Sequence, residues 1–293
     1  MLISGSDGRK TRLALKEYED RQKAEAEEET VEEAAKLSSK LVYEVIRRDG
    51  EEELSRTKRS LFWAGVAAGV LISFSVIGEA LLRTYLPPNA LWVPLIENMG
   101  YSLGFLLVIL GRMQLFTENT ITTVLPFMQA PSMRLFGSVM RLWGIVLAAN
   151  VLGAFVAGWW LSQIGLLPDE VLPNLRDLSE HATGMGAWEG FKRAVPAGIL
   201  VAAIVWMLPQ SEGSEFFVIA TFTYLIALGD FTHVVAGSVE MAFLIVEGEL
   251  GIIRAFFGFF LPVLAGNIVG GTLIFAAMAW GQVRDEYYPE ENS

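Results

Sequence analysis

The sequence predicts an all-α integral membrane protein in which six transmembrane helices form two inverted repeats of three, the second and fifth helices being broken. Three observations lead to this fold class. Of the 293 residues 53% are hydrophobic, and the mean hydropathy of +0.42 is too high for an ordinary soluble domain. Six apolar runs follow one another, and we interpret each as long enough to cross a hydrocarbon core of about 30 Å. Short motifs of the first three runs recur in the last three.

The composition excludes several classes of function. The chain has no cysteine, which excludes disulfides, thiolate nucleophiles, cysteine zinc sites and iron–sulfur clusters. A net charge of −11 argues against a nucleic-acid partner, because binding by counterion release needs a basic surface. Only two histidines occur, and neither stands in a metal-binding spacing such as His-Glu-x-x-His. We therefore predict neither a metal nor a cofactor.

The chain divides into three predicted segments. Residues 1–60 are predicted to be a charged cytoplasmic tail, residues 61–283 the transmembrane domain, and residues 284–293 a short cytoplasmic C-terminal tail. The first 60 residues hold 13 Lys and Arg against 15 Asp and Glu, without the apolar core of a signal peptide. Apolar residues at helical spacing between Val31 and Ile46 leave open a helix on the membrane or on a neighbouring subunit, but a solvated, partly disordered tail is the expectation.

The transmembrane domain begins with the first apolar run. The six runs are residues 61–82, 91–110, 142–167, 194–209, 216–246 and 255–283. An even number of spans places both termini on one side, and the basic residues before the first span, such as Arg56 and Arg59, place that side in the cytoplasm. The protein is thus expected to cross the cytoplasmic (inner) membrane several times. Between the third and fourth runs, residues 169–189 are expected to form a solvated loop that contains His181.

Three motif pairs indicate the internal repeat. They are Ala-Ala-Gly-Val-Leu-Ile at 67–72 with Pro-Ala-Gly-Ile-Leu-Val at 196–201, Phe116-Thr117 with Phe231-Thr232, and Asn-Val-Leu-Gly at 150–153 with Asn-Ile-Val-Gly at 267–270. The pairs occur in the same order in both halves. Because each half has an odd number of spans, the second half is inverted relative to the first. Inverted repeats are typical of transporters and channels whose solute path lies between the repeats near the bilayer midplane.

Polar residues interrupt the second and fifth spans at matching positions. Arg112 and Glu118 follow the second apolar run, and Asp230 and His233 interrupt the fifth. An ionisable side chain at depth costs roughly 2.5–3.5 kcal/mol on insertion scales, so these groups should face protein or a water-filled path. We expect Arg112 to pair with Glu118 or Asp230, because an unpaired buried charge is costly. Two broken helices that meet at the midplane would line one pore.

A simpler interpretation is that these residues lie at loop ends and that the two spans are short. It accounts for Arg112 but not readily for His233, which has apolar residues on both sides. On composition alone, a pore role for His233 and a packing role are evenly balanced.

At these residues the chain resembles the formate/nitrite transporter family. The resemblance rests on Leu-Phe-Thr at 115–117, Phe-Thr-His-Val-Val-Ala at 231–236 and Asn-Ile-Val-Gly-Gly at 267–271, and it covers residues 61–283. It implies an aquaporin-like protomer, a homopentamer in the lipid bilayer with a pore in each protomer, and passage of small monovalent anions such as formate or nitrite. It implies a transport protein and not an enzyme.

The resemblance also implies which residues line the path. His233 and Thr117 would face each other in the middle of the pore, with Phe116 and Phe231 beside them in the broken segments. Counting along the broken spans gives Phe105 and Ile226 as the constriction residues. Electrostatic candidates are Arg112, Glu118, Asp230 and Arg193.

The chain departs from the family pattern at three positions, which suggests an atypical branch. Gln114 stands where a carboxylate is usual, and Gly198 and Gly237 stand where asparagines are usual. These changes leave the fold expectation intact and make the substrate uncertain within the class of small anions.

The expected mechanism follows from the cost of desolvating an ion. A bare anion crosses an apolar constriction at great cost, whereas the neutral acid crosses easily. His233, with a reference pKa of about 6.5, is suited to relay a proton to the passing anion. Two alternatives stay open: an aquaporin-like channel for a small neutral solute, although paired Asn-Pro-Ala loops are absent, and a membrane enzyme that uses Glu79, Asp230, Glu240 and His233 as acid/base or metal groups.

Overall fold

The computed structural model describes Gln22 and residues 37–88, 90–163 and 165–287. The chain separates into two compact units, residues 1–38 and 39–293. Nearly all of the first unit, including the acidic stretch of the predicted tail, lies outside the described residues, as do residues 288–293. In the second unit, the described residues between 39 and 287 form helices and no strand.

The helices are numbered in chain order. They are α1 (Ser39–Ser55), α2 (Lys58–Leu71), α3 (Ser73–Tyr85), α4 (Val93–Glu97), α5 (Ser102–Leu110), α6 (Phe116–Thr122), α7 (Val124–Gln129), α8 (Met133–Leu161), α9 (Leu172–Gly184), α10 (Ala187–Met207), α11 (Glu215–Leu228), α12 (Val234–Val246), α13 (Ile252–Arg254), α14 (Leu261–Ile268) and α15 (Ala277–Tyr287). Short 3₁₀ turns, Asn98–Tyr101 and Leu208–Gln210, follow α4 and α10. Two π-helical segments, Ala255–Phe260 and Val269–Ala276, join α13, α14 and α15 into one rod.

Several helical stretches are long and apolar enough to cross a bilayer. Within the described ranges these are Lys58–Tyr85, Val93–Leu110, Met133–Leu161, Ala187–Gln210 and Ile252–Tyr287. The fifth predicted run, residues 216–246, is instead two shorter apolar helices, α11 and α12. The break between them falls at residues 229–233, where the polar residues interrupt the run. An all-helical membrane protein is therefore confirmed.

The helices pack closely through small residues. Helix α2 lies against α8 and α10 lies against α14, while α5 lies beside α11. A Cβ atom built on Gly153 of α8 would lie 2.9 Å from the Cα atom of Gly69 in α2. On α10–α14, a Cβ atom at Gly198 would lie 3.0 Å from the Cα atom of Asn267. Only glycine permits these approaches, which is the usual way in which membrane helices gain packing energy.

Helix α1 corrects the expectation of a solvated tail, which is wrong for residues 39–55. Val42, Tyr43 and Ile46 are buried, and the Tyr43 hydroxyl donates to the Leu125 carbonyl at 3.0 Å. The apolar stripe of this amphipathic helix packs on α7 and α15, so it is covered by residues of its own chain.

The segment between the third and fourth spans is likewise not a loop. It contains α9, which buries Leu175 and Ser179 and packs on α12. His181 lies on the other face, and its side chain is 63% exposed, as expected for this residue. At the C-terminal end, α15 continues to Tyr287, beyond the predicted end of the transmembrane domain at residue 283.

Candidate functional site: the two helix breaks

The breaks after α5 and after α11 have the same backbone conformation. Arg112 has φ +51° and Asp230 has φ +53°, and these are the non-glycine residues with positive φ in the described part of the chain. After each, an N–H turns back to the helix: Met113 donates to the Val108 carbonyl at 3.0 Å, and Phe231 donates to the Ile226 carbonyl at 2.9 Å. A left-handed non-glycine residue costs about 1–2 kcal/mol, so the surrounding structure must hold both turns in place.

Asn150 of α8 holds the first break. Its Oδ1 accepts the Phe116 N–H at 2.9 Å, and its Nδ2 donates to the carbonyls of Gln114 and Gly65, each at 2.8 Å. Asn150 is fully buried, so the side chain satisfies backbone groups that no water reaches.

Asn267 of α14 holds the second break in the same way. Its Oδ1 accepts the Val234 N–H at 2.8 Å, and its Nδ2 donates to the Thr232 carbonyl at 3.1 Å and the Ala194 carbonyl at 2.8 Å. Each asparagine thus bonds the first N–H of the helix after the break and a carbonyl of the break itself. It also bonds a carbonyl of a long helix, α2 for Asn150 and α10 for Asn267.

Thr117 and His233 meet between the two breaks. Thr117 Oγ1 lies 2.7 Å from His233 Nε2, and the residues are 1% and 2% exposed. His233 Nδ1 accepts the Ala236 N–H at 3.2 Å, so the ring caps the start of α12. Because Nδ1 is an acceptor there, the neutral ring carries its proton on Nε2 and donates it to Thr117. The hydroxyl proton of Thr117 is then free to point at a third group.

Apolar side chains surround this pair. The Phe105 ring meets the His233 ring edge-on, with 5.0 Å between centroids. Ile226 is fully buried, and the Phe116 ring packs edge-on against Trp143 with 5.5 Å between centroids. The structure therefore brings Phe105 against His233 and directs the Phe116 ring towards α8.

One cavity of about 80 Å³, which we call the α9 cavity, reaches His233. Its polar lining is Glu79, Tyr101, His181, Asp230, Thr232, His233 and Glu240, and Phe231 contributes to its apolar wall. The Asp230 carboxylate bonds the Arg193 guanidinium and lies 3.0 Å from His181 Nε2. Arg193 also contacts Glu189 at 2.8 Å.

The expected ion pair of Arg112 is wrong. Asp230 pairs with Arg193 on α10 and His181 on α9, while Arg112 lines a different cavity and forms no ion pair with the residues that the structure describes. Glu118 is not its partner either, since Glu118 Oε1 is buried without a hydrogen bond to any described residue. Arg112 and Asp230 therefore face different cavities.

The second cavity, of about 580 Å³ and here called the α1 cavity, lies where α1 faces the first break. Arg112, Gln114, Glu118, Asp49 and Glu53 are among its lining residues. The Gln114 amide Nε2 donates to Glu53 Oε2 at 2.8 Å, which ties α1 to the broken segment. Burial raises the pKa of both Asp49 and Glu53 above the ordinary carboxyl value, against the pull of Arg112 on Asp49 and of Arg56 on Glu53.

The sequence matches the family model for the formate/nitrite transporter over residues 40–281. The chain belongs to the formate/nitrite transporter family. It is 41% identical over 247 residues to the inner membrane protein YfdC of Escherichia coli (strain K12), a match that spans 84% of this chain and 79% of that protein. It is 24% identical over 251 residues to the formate channel FocA of Haemophilus influenzae, spanning 72% of this chain and 82% of that one.

Solved structures show the same fold. A pentameric formate channel with formate bound matches with a TM-score of 0.67 at 20% identity, over 78% of this chain and 97% of that one. An ion channel described as a member of the FNT family matches with a TM-score of 0.72 at 18% identity, over 82% of this chain and 98% of that one. Family membership confirms the prediction of a membrane transport protein and sets aside the membrane-enzyme interpretation.

The structure gives a physical reason for each departure from the expected family pattern. A Cβ atom at Gly198 would overlap the Asn267 backbone, so an asparagine does not fit there, and one at Gly237 would require the Phe259 ring to move. At the third position, Gln114 is neutral, but it holds the Glu53 carboxylate of α1 at hydrogen-bonding distance. A carboxylate of α1 thus lies against the first broken segment.

Some residues of the site were missed by sequence reasoning. The sequence marks Asn150 and Asn267 as members of the repeat, and Asn267 as part of the family motif. It does not predict that their side chains hold the two breaks in place through hydrogen bonds. Ala236 stands three residues after His233, which is the N-cap-to-N3 spacing that could have identified the capping bond. The Glu53–Gln114 contact joins residues 61 positions apart, and no local pattern predicts it.

Proposed function

We propose that this chain is a channel or transporter for small monovalent anions of weak acids, formate and nitrite being the first to test. The observation that carries the proposal is the 2.7 Å contact of Thr117 with His233, at the meeting point of two helix breaks and against the Phe105 ring. The family supports the class of cargo, and the formate channel names of a relative and of a structural neighbour support formate.

The architecture proposed with this function is two inverted three-helix repeats. The matching turns at Arg112 and Asp230, and the matching bonds of Asn150 and Asn267, support it. We propose that the protein is a homopentamer in the cytoplasmic membrane with both termini in the cytoplasm. The residues before 61 and after 283 would lie outside the bilayer, and α1 would cover the cytoplasmic mouth. The pentameric formate channel of the same fold supports the assembly.

In the proposed mechanism, the anion is neutralised at the narrowest point. A bare anion among buried apolar groups such as Phe105 and Ile226 is strongly disfavoured, so it must acquire a proton there. Protonating His233 would cost its bond from the Ala236 N–H, because Nδ1 would become a donor. An adjacent anion offsets this cost, and the ring is therefore cationic only while the anion is beside it. Thr117 donates its hydroxyl proton to the same anion and keeps it in place.

Fixed charges would collect the anion. Arg193 is already engaged by Asp230 and Glu189, whereas Arg112 has no ion-pair partner among the described residues and faces the α1 cavity. We therefore propose that Arg112 is the cation that attracts anions. The carboxylates of the same cavity, such as Glu118, oppose this attraction. Phe116 and Phe231 lie in the two broken segments, and Phe231 lines the α9 cavity.

The test is flux in proteoliposomes with a pH probe inside. Wild type should transport formate and nitrite faster than empty vesicles do, with accompanying movement of protons, and glycerol should not be carried. His233→Asn keeps a hydrogen-bonding amide in a similar volume, so it should fold and lose the coupling of flux to pH across about pH 5–8, the range around the reference histidine pKa. Glycerol flux without formate flux would favour the neutral-solute channel, and an unchanged pH profile would remove the relay.

A further inference from the structure

Two carboxylates of the α9 cavity have no part in the proposed mechanism. Glu79 projects from α3 and Glu240 from α12, and both line the same 80 Å³ space as His233. Neither forms a hydrogen bond or an ion pair with any residue in the described ranges. Asp230, the third carboxylate of the cavity, differs because it forms an ion pair with Arg193 and contacts His181.

The two nearby arginines do not neutralise the negative charge of Glu79 and Glu240. The charged and titratable groups that face this pair are Arg83 on α3, Glu97 on α4, Tyr101 before α5, His181 on α9, Asp230 and His233 at the second break, and Arg193 behind Asp230. Of the two arginines, Arg193 is bound by Glu189 and Asp230, and Arg83 lies 4.0 Å from Asp177. Like charges beside low-dielectric walls repel each other, so a pair of such carboxylates is most stable when one of the two carries a proton.

The place of this pair is chemically useful. A cavity of 80 Å³ holds a few water molecules or one small anion. On its inner side lies His233, 2% exposed and already bonded through both ring nitrogens to Thr117 and Ala236. An anion in the cavity therefore has the two carboxylates and the histidine around it.

We propose that the Glu79–Glu240 pair is the proton donor of the α9 cavity and determines that only anions of weak acids pass. This inference rests on the proposed transport function and adds residues that select the cargo. The pair gives up one proton, which His233 relays to the anion; the anion moves on as the neutral acid, and both carboxylates stay ionised until the solution returns a proton to them. No electrons are transferred, and one proton moves with each anion.

Selectivity follows from this chemistry. Formate is the anion of a carboxylic acid, so it can accept the proton that one of these carboxyl groups gives up. Chloride and nitrate are anions of strong acids and cannot take the proton. They remain charged, and the two carboxylates repel them. The same pair thus favours one class of anion and rejects the other.

The experiment compares wild type with Glu79→Gln, Glu240→Gln and the double variant in proteoliposomes. Formate, chloride and nitrate fluxes are measured, with formate-coupled proton uptake. Glutamine keeps the size and hydrogen bonding of the side chain but has no proton to give. Glu97→Gln is the matched control, because it removes a nearby charge from the same side without lining the cavity. The infrared carbonyl stretch of a protonated carboxyl group in the reconstituted protein provides a readout that needs no transport.

We expect formate flux to fall at least tenfold in the double variant, the chloride and nitrate fluxes to rise, and the infrared band of wild type to lose the component that Glu79 and Glu240 contribute, while Glu97→Gln behaves as wild type. Formate flux that rises together with chloride flux would overturn the proposal, because the carboxylates would then only repel anions. Unchanged fluxes would overturn it as well, since the pair would be structural. If wild type carries no weak-acid anion, the proposed function fails by itself, and that result is distinct because it is obtained before any variant is compared.

Discussion

Asn150 and Asn267 make matching hydrogen bonds at the two helix breaks, although 117 positions separate them in the sequence. Each bonds one backbone N–H and one carbonyl of the break, and also a carbonyl of a neighbouring long helix. The two side chains thus replace, at each break, the ladder of hydrogen bonds that a continuous transmembrane helix would have.

Removing Asn150 should destabilise the protein strongly. In Asn150→Ala, the Phe116 N–H and the Gln114 carbonyl of the break lose their partner, and an unsatisfied buried group costs about 1–3 kcal/mol. We expect a loss on the order of 3 kcal/mol, measured as a lower thermal unfolding midpoint in detergent. Asn98→Ala, which removes only a bond to the nearby Pro94 carbonyl at an exposed site, is the control and should cost well under about 1 kcal/mol. Equal midpoints for the two variants would contradict the role of Asn150.

Thr117→Val should reduce anion flux without altering its pH dependence. The substitution keeps the shape of the side chain but removes the hydroxyl that accepts from His233 and is free to donate to the anion. Loss of one such bond predicts roughly a tenfold lower flux. Thr117→Ser should restore it. Thr223→Val is the control, because that buried hydroxyl bonds only carbonyls of its own helix. A Thr117→Val variant with wild-type flux would show that the hydroxyl does not contact the anion.

A double-mutant cycle should distinguish the true partner of Asp230 from the expected one. Arg193→Met and Asp230→Asn should be coupled by about 0.5–1 kcal/mol, a modest figure because both side chains are about a third exposed or more. Asparagine also tolerates the positive φ of residue 230. Arg112→Met and Asp230→Asn should be additive. Coupling in the second cycle and not in the first, read from unfolding midpoints, would contradict the pairing of Asp230 with Arg193.

The breaks could be predicted from the sequence because polar residues interrupt the apolar runs where the breaks occur. An apolar run that contains Asp230 and His233 cannot continue unbroken through lipid. The contact of Thr117 with His233 came from the family resemblance, since no spacing rule connects residues 116 positions apart. The partner of Arg112 is predicted wrongly, because no local pattern in the sequence indicates that Arg112 and Asp230 line different cavities.

The packing of α1 shows a different limit. The stripe of Val42 and Ile46 predicts an amphipathic helix, but the same stripe suits a membrane surface, another subunit or the chain itself. What decides among them is a set of distant contacts, such as that of Tyr43 with the Leu125 carbonyl. Such contacts depend on the assembled fold, so periodicity alone could not choose.

The attachment of α1 should weaken in acid through Glu44. Its carboxylate accepts from Arg47 at 2.8 Å, from Arg48 at 2.7 Å and from the Tyr287 hydroxyl at 3.0 Å. The hydrogen bond from Arg47, with those from Arg48 and Tyr287, lowers the pKa of Glu44 from 4.5 to about 2, although desolvation opposes the shift. Because the folded-state pKa lies below the unfolded value, the stabilisation is fully present above pH 4.5 and is lost as the pH falls through about 2.

The difference in stability between wild type and Glu44→Gln isolates this effect. At about pH 6, wild type should be more stable by about 1–2 kcal/mol, a value reduced for screening by solvent. Near about pH 2.5 most of that difference should have disappeared.

The raised pKa values of Asp49 and Glu53 act in the opposite direction, but they are common to both proteins and cancel in the difference. Glu52→Gln, on the same helix and without an ion pair among the described residues, is the matched control for the loss of a carboxylate from α1. A difference between wild type and Glu44→Gln that stays constant across this acid range would mean that Glu44 attaches α1 by its shape and not by its charge.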